Sequence, residues 1–321
     1  MVLEAEKHGR EPKRRPEETH VAVLMGGWSA EREVSLASGK AVVEALRTMG
    51  YKVTSLDVHQ EICRELAQIA PDVVFNALHG LWGEDGKVQG LLEMLGIPYT
   101  HSGVLASALA MDKHKSKILF RKARIPVADD RIVMLEDLMK GHPMSPPYVI
   151  KPVAEGSSVG VSIVIAEEEK IPVEKYADFK DVPLMVERYI PGRELTCAVM
   201  GDVALGVLEV IPLKAGYYDY ESKYAEGGSR HECPARLPEE ITRKIQRYAL
   251  AAHKALGCRG ASRVDFRFND NGKGEGEIVI LEVNTQPGLT PTSLLPEIAE
   301  QVGHTFSQLV AWMVDDASIR R

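Results

Sequence analysis

Asp265, Glu282 and Asn284 are the residues of this 321-residue chain whose types and spacing speak most directly of chemistry. In a strand, residues two apart share a face. Over residues 261–268, Arg263 and Asp265 point one way and Val264 and Phe266 the other. Over residues 278–284, Glu282 and Asn284 share a face, with Leu281 and Val283 opposite. The intervening residues 269–276 are rich in turn formers, which predicts an antiparallel pair. Pairing would gather Asp265, Glu282 and Asn284 beside Arg263. Three oxygen donors without thiol or imidazole suit a hard cation, Mg²⁺ above all, which readily shares its shell with phosphate oxygens. A solvated hairpin with polar outer residues fits the same alternation. The turn Thr285-Gln286-Pro287-Gly288-Leu289-Thr290, directly beyond the ligands, weighs toward a site because it offers backbone N–H groups there.

A phosphate ligand also suits Lys151, which ends an apolar run and precedes Gly156-Ser157-Ser158-Val159-Gly160. This is not a Walker A loop, in which the lysine follows the glycines at a helix start. A Gly/Ser hairpin loop can nevertheless fold its N–H groups and hydroxyls over phosphates, or serve only as a turn. Lys113, in Met111-Asp112-Lys113, reads by itself as a solvated helix charge. Leu184-Met185-Val186 leads into Glu187-Arg188-Tyr189-Ile190, with Glu194 four residues further on. Apolar wall, backbone and carboxylate are the mixture an adenine and ribose pocket needs, and also the mixture of an ordinary strand end. Residues 215–230 carry Tyr217, Tyr218, Tyr220, Lys223 and Tyr224, too polar for a core and long enough for a lid or a surface linker.

These groups must be held by elements. Val21–Met25 followed by Gly26-Gly27 suits a buried parallel strand. Val34, Ala37, Ala41, Val42, Ala45 and Leu46 recur at helical spacing up to Gly50. Residues 52–56 and 72–78 read as further strands with a short helix, 62–69, between them, which implies crossovers and a parallel sheet. Residues 102–124 read as one helix ended by Ile125-Pro126. Residues 148–153 and 161–165 form a hairpin around the Gly/Ser loop. Pro238-Glu239-Glu240 opens a helix through Leu256 that Gly257 stops, and 295–313 is a terminal helical region.

Composition narrows the function. The length suits two or three domains. A net charge of −7 argues against a nucleic-acid-binding body. No apolar run spans a bilayer. Four cysteines without C-x-x-C spacing read as free thiols in a reducing, cytoplasmic compartment. Residues 1–20 carry five acids, five bases and two prolines with almost nothing to bury, and read as a disordered lead.

Taken in order, Glu31-Arg32-Glu33-Val34-Ser35-Leu36 after Gly26-Gly27, His79-Gly80 with Gly83-Glu84-Asp85-Gly86, Met111-Asp112-Lys113, Glu155 through Gly160, Tyr218 through Tyr224, and Glu282 through Gly288 closely resemble the D-alanine–D-alanine ligase family of the ATP-grasp superfamily. The resemblance runs from about residue 20 to 315. It implies an α/β and α+β, three-domain ATP-grasp architecture: an N-terminal parallel-sheet domain (21–102), a central domain (103–183) and a C-terminal domain (184–321), with ATP grasped between the last two.

By matching motif, the resemblance implies that Lys113, Lys151 and Ser158 contact ATP phosphates, with Lys223 reaching in from the lid. Glu187 and Glu194 would hold the adenine amine and the ribose, with Tyr189 and Ile190 beside the base. Asp265, Glu282 and Asn284 would bind two Mg²⁺ or Mn²⁺. Glu31 would pair with the ammonium of the first D-alanine, in a hydrogen-bonded set with Ser157 and Tyr224, and His79 would lie near that substrate. Ser293 and Leu294 would receive the carboxylate of the second D-alanine. Arg263 and the Gly288 N–H would hold the oxyanion.

The implied reaction is ATP-dependent formation of D-alanyl-D-alanine through a D-alanyl phosphate, for peptidoglycan precursors, by a homodimer. Positioning and charge neutralisation would dominate the phosphoryl transfer. The chain departs from the family pattern at Gln286, where serine is common, at Arg188, where lysine is common, and at Trp28 and Trp82. Tyr224, rather than phenylalanine, favours D-alanine over D-lactate as acceptor. Other readings are a carboxylate–amine ligase of different substrate, opposed by Glu31 and Tyr224, and a binding module, opposed by the full set Arg263, Asp265, Glu282 and Asn284. A Rossmann oxidoreductase is disfavoured because Gly26-Gly27 lacks G-x-G-x-x-G.

Overall fold

The computed structural model describes residues 14–156, 159–213, 228–270 and 276–320. The first sheet is parallel, in the order β2-β1-β3: β1 (His20–Met25) lies between β2 (Lys52–Asp57) and β3 (Val73–Asn76). Val21 through Leu24 are fully buried, as expected for a central strand covered on both faces. Period two divides them. Val21 and Val23 pack toward α1 (Arg32–Thr48), while Ala22 and Leu24 pack toward α2 (Ile62–Ile69) and α3 (Lys87–Leu95). Apolar spacing places Ala37 in the buried stripe of α1, yet Ala37 is exposed and Ser35 and Ser38 are buried. Both serines are hydrogen-bonded: Ser35 Oγ donates to the Ala77 carbonyl at 2.8 Å, and Ser38 meets His79.

The expected disordered lead is too long. His20 is already in β1, and Arg14 donates through its backbone N–H to Asp315 and through its guanidinium to the carbonyls of Val314 and Ala317. A cation there satisfies carbonyls at the end of the last helix. Residues 1–13 lie outside the described residues.

The single helix expected over 102–124 is two: α4 (Val104–Met111) and α5 (Lys113–Lys122). Asp112 breaks them, with an extended backbone and a carboxylate that accepts the Lys115 N–H at 2.9 Å. Ala106, Ala110 and Phe120 pack with the C-terminal sheet and its long helix, so this segment does not join the central core. The central sheet is antiparallel, in the order β4-β7-β5-β6, with β4 (Asp130–Val133), β5 (Tyr148–Pro152), β6 (Ser162–Val164) and β7 (Leu184–Arg188). A short helix, α6 (Leu135–Leu138), follows β4. The boundary expected at residue 184 therefore moves beyond Arg188. β7 is hydrogen-bonded on both edges, to β4 and to β5, and belongs to the central sheet.

The C-terminal sheet runs β10-β9-β8-β11-β12, all antiparallel: β8 (Arg193–Met200), β9 (Val203–Pro212), β10 (Ser229–Glu232), β11 (Ala261–Asn269) and β12 (Glu277–Asn284). Helix α7 (Glu239–Leu256) lays Ile241, Ile245, Ala249, Ala252 and Leu256 on one face of it, and Gly257 closes the helix at φ +73°. The terminal helical region is split into α8 (Leu294–Gln301) and α9 (Phe306–Asp316), the second opened by a Thr305–Gln308 capping box. Leu295, Leu309, Val310 and Val314 share one core with Val21, Val23, Val42 and Leu46. The first and last parts of the chain are thereby fused into one block, with the central sheet set apart.

Candidate active site

The β11–β12 hairpin brings the expected residues opposite one another, but not by unbroken period two: a bulge between Asp265 and Phe266 sets Phe266 opposite Ile280, and Leu281, expected beside Val283 on the buried face, is only half-buried. Asp265 pairs with Glu282 and Arg263 with Asn284, while Val264 and Val283 are buried on the other face. Arg263 donates to both Asp265 oxygens, Nε to Oδ1 at 2.9 Å and an Nη to Oδ2 at 2.7 Å. Thr196 on β8 donates to Asp265 Oδ1 at 2.6 Å. Lys113, the first residue of α5, approaches Glu282 Oε2 at 3.3 Å and donates to the Glu155 carbonyl at 2.5 Å. Asn284 Oδ1 accepts the Gln286 N–H at 2.9 Å, which orients the amide and leaves its oxygen a second lone pair. Two carboxylates and an amide oxygen from adjacent strands are hard donors that fit Mg²⁺. Among the described residues there is no group of three His, Cys, Asp or Glu side chains placed to hold a metal, so this set depends on its amide and on ligand oxygens.

One cleft brings together Glu31, His79, Lys113, Arg263, Glu282, Asn284, Gly288, Ser293 and Leu294. They come from the N-cap of α1, the loop after β3, α5, both strands of the hairpin, the turn after β12 and the start of α8. Glu31 is held at the N-terminus of α1, its N–H donating to Ser29 Oγ at 3.1 Å. Gly80, at φ +70°, lets the β3 loop approach: a Cβ there would lie 2.7 Å from Glu31 Oε2. A Cβ on Gly288 would lie 2.7 Å from Ser293 Oγ, which itself accepts the Thr290 N–H at 2.9 Å. Ser293 and Leu294 stand at the N-terminus of α8, where backbone donors favour an anion.

Charge in this cleft is uneven. His79 uses both ring nitrogens, Nε2 with Ser38 Oγ at 3.0 Å and Nδ1 with Glu84 at 3.4 Å. Burial pushes the Glu84 carboxyl up, against the pull of His79 and with a further push from the Glu31 charge. Burial likewise raises Glu155, which Lys113 opposes and Glu31 reinforces. The Glu31 charge thus bears on both Glu84 and Glu155, and carboxylates gathered in this way make a place where an ammonium group is favoured.

A second cluster lies on the central sheet. Glu187 is buried and its two oxygens are divided between two buried lysines: Lys117 Nζ at 2.6 Å, and Lys151. Burial would raise Glu187, but Lys151 and Lys117 together outweigh it and hold the carboxyl below its ordinary range. Lys117, fully buried, also donates to the Ala128 carbonyl at 3.0 Å and lies 3.6 Å from Asp130. Burial lowers its pKa. Glu194 lies 3.4 Å from Arg267, whose Nε and Nη2 donate to the carbonyls of Ile190 and Gly192. The N–H groups of Arg188 and Tyr189 already donate to the Asp129 and Pro147 carbonyls. Arg188 itself pairs with Glu277 across the two sheets.

Ser157, Ser158, Lys223 and Tyr224 lie outside the described residues. The sequence reading gave no role to Glu84, Lys117, Arg267 or Ser38. Arg267 was detectable, since it continues the Arg263-x-Asp265 face by period two, and Lys117 follows Lys113 by one helical turn. Gln286 is buried against Asn76. The exposed rings of Trp28 and Trp82 meet edge to face at 5.9 Å, and Lys87 lies 4.5 Å from the Trp82 ring.

Comparison with known proteins adds to this geometry. A family model described as the D-ala D-ala ligase C-terminus matches residues 119–315, and one described as the D-ala D-ala ligase N-terminus matches 59–102. The chain is 57% identical over 309 residues to D-alanine–D-alanine ligase B of Mesorhizobium japonicum, covering 94% of this chain and 99% of that one. It is 58% identical over 304 residues to the D-alanine–D-alanine ligase of Parvibaculum lavamentivorans, covering 94% and 98%. Among solved structures, the Bacillus anthracis D-alanine–D-alanine ligase complexed with ATP matches with a TM-score of 0.77 at 30% identity, over 93% of this chain and 97% of that one. The VanG D-Ala:D-Ser ligase of Enterococcus faecalis matches with 0.75 at 31%, over 92% and 98%.

Proposed function

The chain belongs to the D-alanine–D-alanine ligase family, and from that premise we propose the division of labour among its residues that follows. It is an ATP-dependent carbon–nitrogen ligase that joins two D-alanines through a D-alanyl phosphate, releasing ADP and phosphate, for peptidoglycan precursor synthesis. The observation that carries the assignment of residues is the single cleft in which Glu31, Lys113, Arg263, Glu282, Asn284, Gly288 and Ser293 meet.

The first D-alanine places its ammonium among Glu31, Glu84 and Glu155, with Ser157 and Tyr224 completing the set. Its carboxylate then faces Arg263 and Lys113. ATP lies toward the central sheet. Lys113, Lys151, Ser158 and Lys223 take the phosphates, Glu194 the ribose and Glu187 the adenine amine, beside Tyr189 and Ile190. Asp265, Glu282 and Asn284 would hold two Mg²⁺ or Mn²⁺, which supply charge neutralisation for the triphosphate.

A carboxylate oxygen of D-alanine attacks the γ-phosphorus, and the bond to the β-phosphate oxygen breaks. The chain's contribution to this step is alignment and positive charge from Lys113, Lys151 and Arg263. The second D-alanine docks its carboxylate at the α8 N-terminus, on the Ser293 hydroxyl and the Leu294 N–H. Its free amine attacks the acyl carbon. Arg263 and the Gly288 N–H hold the oxyanion, phosphate departs with its bridging oxygen, and one amine proton is released.

Tyr224 supports D-alanine rather than D-lactate as acceptor. Four free cysteines, the ATP requirement and the lack, among the described residues, of any helix long and apolar enough to cross a membrane support a cytoplasmic location. The family resemblance supports a homodimer, and the net charge of −7 supports function without nucleic acid. Phosphate release with ATP and Mg²⁺ tests the reading, comparing D-alanine, L-alanine and no amino acid. Stimulation by D-alanine with dipeptide formation is expected; stimulation by L-alanine alone, or by neither, would reject it.

A further inference from the structure

We infer that Gln286 is a positioning residue that ties the turn carrying Asn284 and Gly288 to the first-substrate loop of the N-terminal domain, and so couples phosphoryl transfer to capture by the second amine. The inference rests on the assignment of the Gly288 N–H and Asn284 made above. Gln286 is 1% exposed, although its amide is polar at both ends and sits in a turn. A buried amide is tolerated only when its groups are paired, and here they are paired across the domain boundary. Its Nε2 donates to the Asn76 carbonyl, and its Oε1 accepts from Asn76 Nδ2 at 3.2 Å. Its own N–H donates to Asn284 Oδ1 at 2.9 Å.

Asn76 is the last residue of β3 and the origin of the loop that carries His79 and Glu84. Its Nδ2 also donates to the Gly83 carbonyl at 3.0 Å, and its Oδ1 accepts the Leu78 N–H at 3.1 Å. One side chain thus fixes both ends of that loop and grips Gln286. A second clamp lies three residues on, where the Leu289 N–H donates to Ser38 Oγ at 3.2 Å and Ser38 meets His79 Nε2 at 3.0 Å. The Gly288 N–H sits between these two clamps. Losing the first would leave Gly288 tethered on one side only, and the oxyanion donor would no longer be registered against the acyl group held by the loop.

The consequence is specific to the second half of the reaction. Phosphoryl transfer from ATP would continue, but the acyl phosphate would be lost to water before the amine captures it. The measurement is phosphate released per dipeptide formed, in Gln286→Met, Gln286→Ser, Asn76→Asp and the double variant Gln286→Met/Asn76→Asp. The wild type should give a ratio close to one. If it makes no dipeptide, the functional reading fails whatever the variants do. Each single variant should raise the excess of phosphate over dipeptide, the ratio minus one, at least about tenfold over wild type, the scale of slowing of amine capture from one lost buried hydrogen bond in a transition state. The double variant should raise it by less than the product of the two single effects, because both substitutions remove the same Asn76 Nδ2 to Gln286 Oε1 hydrogen bond. Gln286→Ser retains a small polar side chain and guards against misfolding of the methionine variant. A ratio that stays at one, with or without a fall in overall rate, would overturn the inference. So would a double variant whose excess over one is raised by the full product of the two single effects.

Discussion

Replacing Lys117 by methionine tests whether the buried charge cluster on the central sheet is as tightly coupled as its geometry implies. Lys117 is fully buried and gives its ammonium to Glu187 at 2.6 Å and to the Ala128 carbonyl at 3.0 Å, with Asp130 at 3.6 Å. Methionine keeps much of the volume and removes the charge. Asp130 retains Arg121 and His114, so its loss is small. Among the described residues, Glu187 retains only Lys151 as an ion-pair partner. Removing one partner from a buried pair costs about 3–5 kcal/mol, because a desolvated charge is left short of compensation. At about 2 °C per kcal/mol for a chain of this size, the melting temperature should fall by roughly 6–10 °C. Lys151 would then answer Glu187 alone, and the KM for ATP should rise while the KM for D-alanine stays near its wild-type value.

The decisive assay is a double-mutant cycle with Glu187→Gln, read by denaturant midpoint. Glutamine removes the charge that Lys117→Met strands, so the double variant should be at least about 1.5 kcal/mol more stable than the sum of the single losses predicts. A Lys117→Met protein within about 0.5 kcal/mol of wild type, or strict additivity in the cycle, would show that the cluster is not coupled as argued.

Glu282→Ala should lower dipeptide synthesis by about two to three orders of magnitude with an unchanged circular dichroism spectrum; near-normal turnover would remove Glu282 from the site. Tyr224→Phe should admit D-lactate at the acceptor position, checked by product mass; a variant still confined to amines would contradict the acceptor assignment. His253, buried beside Ser262 Oγ at 2.7 Å, is held neutral by burial, which pushes its pKa down from 6.5 to about 4. The unfolded chain therefore binds a proton that the folded chain refuses, so this stabilisation is present above pH 6.5 and is lost as pH falls toward about 4. About 3 kcal/mol of acid sensitivity follows, and His253→Gln should flatten the stability profile over that range; an unchanged profile would rule the histidine out.

Much of the site was written in local pattern. Period two alone placed Arg263, Asp265, Glu282 and Asn284 on one face, because a pleated strand alternates its side chains whatever surrounds it. The ordered motifs from Glu31 to Gly288 identified the family, and turn chemistry located the hairpins. Local pattern also erred where a hydrogen bond outranked hydrophobicity: Ser35 and Ser38 took the buried stripe of α1 from Ala37, and Asp112 capped a helix that the periodicity ran through.

The rest belonged to tertiary structure. Nothing near Lys117 in the sequence marks it as buried; its burial depends on Glu187 arriving from a strand seventy residues later. Nothing local says that β7 is gripped on both edges by the central sheet, or that α4 and α5 pack on the C-terminal one. Gln286 reads as a mere departure in a turn until Asn76, 210 residues away, is found against it. A sequence specifies which faces are apolar and which groups need partners. Which faces meet, and which partners are supplied, is settled only when distant segments share one core and every desolvated polar group must be paired at once.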